Sequence, residues 1–244
     1  IVGGICRGTV RSYPALEENL CCDVLIIGGG SSGAQCAYEL ADTNLDVVVI
    51  EKLTIGSGST SANTALLQYS GEKMFINLVN TFGENYMARH LQLLKDAVDT
   101  IEAVSKNVAI DFEFTRRDTL YAASCPEDVE KLRKEYEYLK SHNCDLDFLS
   151  KEEVEAKYPF SRDAAIYSYN DGELNPFRYT HALIDYAAKK GVRIYEHTEM
   201  NGHHHDEQQG RVIISTKNGY SIQARQVIVA AGYEGMEIKK EKMA

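Results

Sequence analysis

Three glycines near the start of the chain have the spacing of an anion-binding turn. In the segment DVLIIGGGSSG, Gly28, Gly30 and Gly33 form G-x-G-x-x-G between a short apolar run and a helix-forming stretch. Gly28 permits a tight turn, Gly30 lets the backbone approach a pyrophosphate, and Gly33 allows close packing of helix on strand. The N–H groups at the start of the helix then face the anion, and the hydroxyls of Ser31 and Ser32 are further donors.

An acidic residue stands at the spacing that ribose recognition requires. Glu51 follows the apolar run Val47–Ile50 and lies 18 residues after Gly33, close to the roughly 20 residues typical of dinucleotide-binding units. A carboxylate at this position accepts hydrogen bonds from both ribose hydroxyls and repels a 2′-phosphate. Strand, glycine turn, helix and spaced acid together predict a dinucleotide site, but they do not separate NAD from FAD.

A second loop of small residues favours one of these dinucleotides. Residues 56–64 read GSGSTSANT, and the backbone N–H groups and hydroxyls of such a loop suit phosphate and ribityl oxygens. The alternative is a solvated loop that binds nothing. The loop therefore points towards FAD only in combination with other features of the chain.

The composition is that of an ordinary globular protein. The 244 residues are 44% apolar and 25% charged, enough for a substantial core or two lobes, and the net charge is −10. Nucleic-acid-binding proteins usually have a basic face, so we expect no nucleic-acid partner. No apolar run approaches the roughly 18 residues of a membrane span, and residues 1–17 are expected to form an N-terminal arm. We therefore expect a cytoplasmic protein that acts on a small molecule.

Strand and helix patterns alternate at the two ends of the chain. Residues 34–41 favour a helix, and Asn175-Pro176 begins another helix that Gly191 ends. Short apolar runs and β-branched residues indicate strands around these helices. These strands are predicted at residues 24–27, 47–50, 192–195, 211–216 and 220–231.

The middle of the chain is predicted to be mainly helical. Residues 73–107 carry an apolar stripe at helical spacing that is interrupted near Gly83. Pro126 begins a charged helix, and Ser150-x-x-Glu153 is a capping box. Strand-like patterns occur at residues 112–114 and 119–123.

This order of elements predicts an α/β fold. We expect a doubly wound, Rossmann-like dinucleotide-binding domain that is interrupted by an incomplete α+β substrate lobe. The dinucleotide-binding domain is expected at residues 18–110 and 172–244, and the substrate lobe at residues 111–171.

The ordered motifs resemble those of the D-amino-acid-oxidase-like FAD-dependent oxidoreductases, especially the branch with γ-glutamylputrescine oxidoreductases and D-amino-acid dehydrogenases. The likeness runs through DVLIIGGGSSGAQCAYELA, VVVIEK, IGSGSTSAN, Leu174-Asn175-Pro176, His197–Met200 and VIVAAGYEG. It covers nearly the whole chain and implies that the cofactor is FAD. Beyond the glycine turn, Ser31, Ser32 and Glu51, it implies cofactor contacts at Lys52, Gly58, Ser59, Thr60, Ser61, Asn63, Met200, Ala230, Ala231 and Gly232.

The resemblance also implies a reaction: oxidation of a C–N bond in a small amine or amino acid by hydride transfer to the flavin. The flavin performs this chemistry, so no acid–base pair is required and no catalytic residue is assigned. A substrate carboxylate would suit a bidentate arginine, and Arg116, Arg117 and Arg178 are available. The alternative is that all three are solvated surface arginines.

Two other functions stay open from the sequence. One is an FAD-dependent hydroxy-acid or glycerol-3-phosphate dehydrogenase, whose family loop is similar to residues 56–64. The other is a non-catalytic nucleotide-binding fragment. Family members continue beyond the strand that ends near Gly232, so the resemblance implies a C-terminally truncated chain.

Three consecutive histidines, His203–His205, raise the question of a metal site. Adjacent residues on a strand point to opposite faces, and no carboxylate stands at the spacing of a facial triad. We therefore expect a polar loop and no bound metal.

Overall fold

A computed structural model describes residues 11–71 and 73–235, which form two units. The parallel-sheet unit comprises residues 11–64, 108–112 and 175–235, and the inserted unit comprises the described residues of 65–107 and 113–174. Residues 1–10 of the predicted arm lie outside the described part of the chain. No helix in that part is both long enough and apolar enough to cross a membrane.

The elements follow one another along the chain with strands in both units. The strands are β1 (Leu20–Ile27), β2 (Val47–Ile50), β3 (Leu66–Leu67), β4 (Thr115–Ala122), β5 (Leu146–Ser150), β6 (Ala164–Glu173), β7 (Arg193–Tyr195), β8 (Met200–Asp206), β9 (Arg211–Thr216) and β10 (Ser221–Val229). The helices are α1 (Ser31–Leu40), α2 (Phe75–Phe82), α3 (Glu84–Ser105), α4 (Val129–Ser141), α5 (Lys151–Lys157) and α6 (Pro176–Lys189).

The parallel-sheet unit is built on one six-stranded sheet with the order β7-β2-β1-β10-β9-β8. The first four strands are parallel, and β10, β9 and β8 form an antiparallel meander. Leu25, Ile26, Val48 and Val49 are completely buried, as the continuous apolar runs of a parallel sheet covered on both faces require. The predicted α/β fold class is confirmed.

Helix α6 of this unit begins as its sequence predicts, whereas α1 begins at Ser31, three residues before the predicted start. The Asn175 side chain accepts a hydrogen bond from the Arg178 backbone N–H (3.1 Å), and Pro176 is the first helical residue of α6. Helices α1 and α6 are in contact, with the rings of Tyr38 and Tyr186 4.8 Å apart. The crossover helices therefore accompany the parallel strands, as in other doubly wound sheets.

The prediction of a loop at His203–His205 is wrong, because these residues belong to strand β8. They pair with residues 212–214 of β9 in antiparallel register. Gly202 lies inside the strand beside a register shift, and Gly210 has a φ of +61° in the turn that follows the strand. The polar sequence of these residues does not indicate a strand, and the strand forms because its backbone pairs with β9.

The inserted unit is an antiparallel sheet with helices. Strand β6 is its central strand, and β3, β4 and β5 pair with it. Neither β5 nor β6 is predicted from the sequence. In β6, the terminal residues Asn170-Asp171-Gly172 are typical of a turn. Cross-strand pairing on both sides overrides that local preference.

The strand-like pattern at residues 112–114 does not form a strand. Phe112 is completely buried, and its ring meets the Tyr179 ring edge-on at 5.0 Å. Its carbonyl oxygen accepts a hydrogen bond from Asn175 N at 2.8 Å. Phe112 therefore packs in the core of the parallel-sheet unit. Strand β4 begins only at Thr115.

The observed division of the chain differs from the expected one at residues 65–107. Helices α2 and α3 lie in this segment, and their residues Phe75, Met87 and Leu91 share a core with Leu132 of α4 and Ile166 of β6. This packing assigns the helices to the inserted unit. The partners are distant in sequence, so helical periodicity alone does not reveal which sheet the apolar stripe covers.

A buried carboxylate from α4 completes the start of α2. Glu135 is 3% exposed and accepts hydrogen bonds from the backbone N–H groups of Phe75 (2.8 Å) and Ile76 (3.0 Å). These are the first N–H groups of the helix, which have no partner within it, and the N-terminal residue Met74 provides no side-chain cap. Desolvation by burial raises the pKa of Glu135 above its ordinary value, against the opposing effect of these hydrogen bonds.

This raised pKa makes stability depend on pH in a defined direction. Between the ordinary and the raised pKa, folded protein binds more protons at Glu135 than unfolded protein, so the free energy of unfolding falls as pH rises through that window and then levels off. Urea unfolding from pH 4.5 upwards should show this component in the wild type and lose it in Glu135→Gln. Identical pH profiles for the two proteins would contradict the assignment.

Candidate cofactor site

A cavity of about 840 Å³ opens where strands of the parallel sheet end. Its walls include residues that follow directly after β1, β2 and β10, at the carboxyl ends of three neighbouring parallel strands. Ligands of open α/β sheets bind at this edge. The volume lies within the range of about 300–1,000 Å³ that is usual for small-molecule and cofactor sites.

Most of the cofactor contacts expected from the sequence line this one cavity. Those residues are Gly28, Gly30, Ser31, Ser32, Glu51, Lys52, Gly58, Ser59, Thr60, Met200, Ala230, Ala231 and Gly232. Gly33, Ser61 and Asn63 are not among the lining residues. Segments separated by up to about 200 residues in the sequence are therefore brought together.

Two of the glycines are required by close backbone approaches. Gly28 has a φ of +112°, and a Cβ there would lie 2.5 Å from the carbonyl oxygen of Ala230. The end of β10 is held at this position because Ala230 N donates to the Ile27 oxygen at 2.8 Å. At Gly33, a Cβ would lie 1.9 Å from the Gly28 oxygen, so Gly33 packs helix against strand as predicted.

Gly30 stands at the start of α1 with one close neighbour. It is the N-terminal cap of the helix, has ordinary dihedral angles (φ −79°, ψ −174°) and makes no side-chain cap hydrogen bond. A Cβ there would have one neighbour within 4 Å, the Thr60 Oγ1 at 3.2 Å. The same oxygen accepts a hydrogen bond from Ser31 N at 3.0 Å. Thr60 therefore ties the second loop to the first turn of the helix.

The carboxylate of Glu51 is oriented by backbone donors. Its Oε2 accepts from Gly29 N at 2.7 Å and its Oε1 accepts from Leu53 N at 2.9 Å. An ionised carboxylate has about four acceptor positions, so two hydrogen bonds leave capacity for two more. Glu51 thus has the acceptors that a pair of ribose hydroxyls requires.

Sequence reasoning missed several lining residues. Of the segment Thr198–His203 it identified only Met200, and it did not anticipate Cys36 or Tyr233. A prediction of strand β8 would have identified some of these lining residues, because alternate residues of a strand lie on the same face. Cys36 lies on α1, beyond the glycine turn, where the sequence pattern indicates only a helix.

Two of the three arginines considered for a substrate carboxylate, Arg116 and Arg117, form ion pairs with acidic side chains of the inserted unit. Arg116 contacts Asp99 and Glu102 through Nη2 at 2.6 Å, and Arg117 contacts Glu173 at 2.7 Å. These ion pairs give both guanidinium groups a structural partner. Arg178 belongs to the first turn of α6.

The cavity has the chemical features that a dinucleotide requires. Gly28 and Gly30 form a turn without side chains at a helix N-terminus, a position that favours an anion. Glu51 offers an oriented carboxylate at the end of the next strand. The residues present therefore fit a pyrophosphate and a ribose with free hydroxyl groups.

The sequence model of the FAD-dependent oxidoreductase (DAO) family matches residues 23–242. The chain belongs to this family. Its cofactor, FAD, is the one that the family resemblance implied, so the choice of FAD over NAD is confirmed.

Individual relatives support the same assignment. The YhfW protein of Bacillus subtilis (strain 168), described by its name as a Rieske 2Fe-2S iron–sulfur protein, is 28% identical over 223 residues, which are 91% of this chain and 42% of that protein. Gamma-glutamylputrescine oxidoreductase of Escherichia coli (strain K12) is 24% identical over 232 residues, 94% of this chain and 53% of the enzyme. The chain thus spans about half the length of the curated relatives it matches.

A solved structure agrees with the fold. Glycine oxidase from Geobacillus kaustophilus superimposes with a TM-score of 0.70 at 25% sequence identity. The match covers 88% of this chain and 56% of the oxidase.

Proposed function

We propose that this protein is a flavoenzyme that holds FAD in the cavity of the parallel-sheet unit and oxidises a C–N bond of a small amine or amino acid. The observation that carries the proposal is the convergence of the glycine turn, the oriented Glu51 carboxylate and residues 230–232 on one cavity. The family match supports FAD as the occupant.

Each part of the cavity has a role in this proposal. The Gly28–Gly33 turn and the start of α1 hold the pyrophosphate, with Ser31 and Ser32 as hydroxyl donors. Glu51 accepts hydrogen bonds from the ribose hydroxyls, and the neighbouring Lys52 contacts the cofactor beside it. The residues proposed for the remaining contacts are Gly58, Ser59, Thr60, Ser61, Asn63, Met200, Ala230, Ala231 and Gly232.

The substrate class rests on the relatives. The names of gamma-glutamylputrescine oxidoreductase and glycine oxidase describe enzymes that act on an amine and an amino acid. The cavity residues would hold FAD, and the bound flavin would supply the hydride acceptor for oxidation of the carbon next to the substrate nitrogen. The described chain contributes binding and orientation: the buried strands and Thr60 keep the glycine turn and the second loop in fixed positions around the cofactor.

The test of the proposal is spectroscopic. Full-length protein should carry a flavin absorption band, release FAD on denaturation, and bleach when a reactive amine or amino acid is added without oxygen. Absence of flavin after incubation with FAD would refute cofactor binding. Bleaching by glycerol 3-phosphate or 2-hydroxyglutarate but by no amine would show that the substrate class is a hydroxyl compound, and flavin binding with no reducing substrate would favour a non-catalytic module.

Replacement of Glu51 by glutamine should weaken FAD binding about tenfold, because an amide cannot accept from both backbone N–H groups and both ribose hydroxyls. Whichever way the amide is turned, its NH₂ group faces either the Gly29 or the Leu53 donor. Titration of apoprotein with FAD, followed by quenching of flavin fluorescence, measures the change. Glu39→Gln, on the exposed side of α1, is the matched control and should bind as the wild type does.

A further inference from the structure

An imidazole side chain lines the cofactor cavity from a strand that the sequence does not predict. His203 is a lining residue and is half-buried, whereas the next two histidines of β8, His204 and His205, are exposed. All three have the same side chain on the same strand. Their different surroundings separate one candidate binding residue from two neighbours.

The position of His203 in the sheet is unusual for a polar side chain. His203 is directly opposite Ile214 of β9, and directly opposed residues of antiparallel strands lie on the same face. Ile214 is 2% exposed and belongs to the apolar core of the unit. The His203 ring is half-buried on the face shared with a core residue, so a polar partner in the cavity would compensate for the part of the ring that is withdrawn from water.

The charges around the cavity indicate what that partner is. Among the described lining residues, acidic side chains come from Glu51 and Glu199, and basic ones come from Lys52 and His203. A pyrophosphate adds further negative charge beside these acids. A ring N–H group can donate to its oxygens, beside the hydroxyl donors of other lining residues such as Ser31, Ser32 and Thr198.

We propose that His203 is a cofactor-binding residue that donates a ring N–H to an oxygen of the ADP half of FAD. This inference rests on the proposed function, since it requires FAD in the same cavity. The glycine turn and Glu51, which recognise pyrophosphate and ribose, line the cavity together with His203. The residue thereby adds β8 to the elements that select a dinucleotide.

The experiment compares FAD and ADP binding to full-length apoprotein of the wild type, His203→Leu, His203→Gln and the control His204→Leu. FAD is followed by fluorescence quenching and ADP by its competition with FAD. We expect His203→Leu to weaken both ligands about five- to tenfold, the effect of one lost hydrogen bond to a charged or hydroxyl oxygen. His203→Gln keeps a side-chain N–H and should lose less, while His204→Leu should change binding less than about twofold.

The outcomes distinguish this inference from the proposal beneath it. If the wild type binds FAD and a folded His203→Leu variant binds FAD equally well, His203 has no role in binding. That result would leave the proposed FAD site unaffected. A loss for FAD without a loss for ADP would overturn the contact with the ADP half. Failure of the wild type to bind FAD would instead contradict the proposed function itself. Circular dichroism spectra that match the wild type establish that the variants are folded.

Discussion

Replacement of Gly28 by alanine is expected to destabilise the protein by about 2–5 kcal/mol, the largest effect that we anticipate for a single methyl group. A left-handed dihedral costs an alanine about 1–2 kcal/mol, and overpacking adds about 1–3 kcal/mol. Gly28 has both problems, with a φ of +112° and a Cβ position 2.5 Å from the Ala230 carbonyl oxygen. That oxygen belongs to backbone that follows β10, so it cannot turn away as a side chain would.

The same substitution at Gly33 tests the packing of α1 on the sheet. A Cβ there would lie 1.9 Å from the Gly28 oxygen, so the helix must move away from the strand. We expect a loss of at least about 2 kcal/mol in the free energy of unfolding. Urea unfolding followed by far-ultraviolet circular dichroism measures both variants.

Gly71→Ala is the control for these two variants. A Cβ at Gly71 would have no neighbour within 4 Å, and its φ lies outside the left-handed region. Its free energy of unfolding should stay within about 0.5 kcal/mol of the wild type. If Gly28→Ala proved as stable as Gly71→Ala, the close approach of the chain after β10 to the glycine turn would be disproved.

Replacement of Gly30 by valine should separate binding from folding. Its dihedral angles are ordinary, and a Cβ would meet only the Thr60 hydroxyl at 3.2 Å. The fold should therefore tolerate the substitution with a change of about 1 kcal/mol. The added side chain occupies the wall of the cavity at the helix N-terminus, so FAD affinity should fall by at least about 100-fold.

Fluorescence titration with FAD and urea unfolding of the same preparations test this separation. Gly71→Val is the matched control, since it adds the same side chain at an exposed glycine outside the cavity. FAD binding by Gly30→Val at the wild-type affinity would show that the pyrophosphate does not approach this turn. If Gly30→Val were destabilised as severely as Gly28→Ala, the Thr60 side chain could not be the one close neighbour that a Cβ at Gly30 meets.

Local sequence patterns identified the unit from β1 to β2 and many of the residues that line its cavity. The glycine spacing, the continuous apolar runs and Glu51 all act over short separations, so each can be read from neighbouring residues. The Asn175 cap of α6 and the capping box at Ser150 and Glu153 are local for the same reason. The ordered motifs also pointed to the family that the comparisons show.

Long-range pairing decided the features that these patterns did not reveal. Strand β6 forms because β3, β4 and β5 hydrogen-bond to it, although it ends in turn-forming residues. The helices at residues 65–107 join the inserted unit because their apolar faces share a core with α4 and β6.

The division between sequence and tertiary structure is clearest in the wall of the cofactor cavity. The chain by itself determined that a glycine turn and an acidic residue follow two buried strands. Only the folded sheet decided that Thr60 holds the start of α1 and that β8 brings His203 to the same cavity. These contacts are stabilised by strand pairing and by hydrogen bonds between distant segments. The local conformational preferences of neighbouring residues therefore do not predict them.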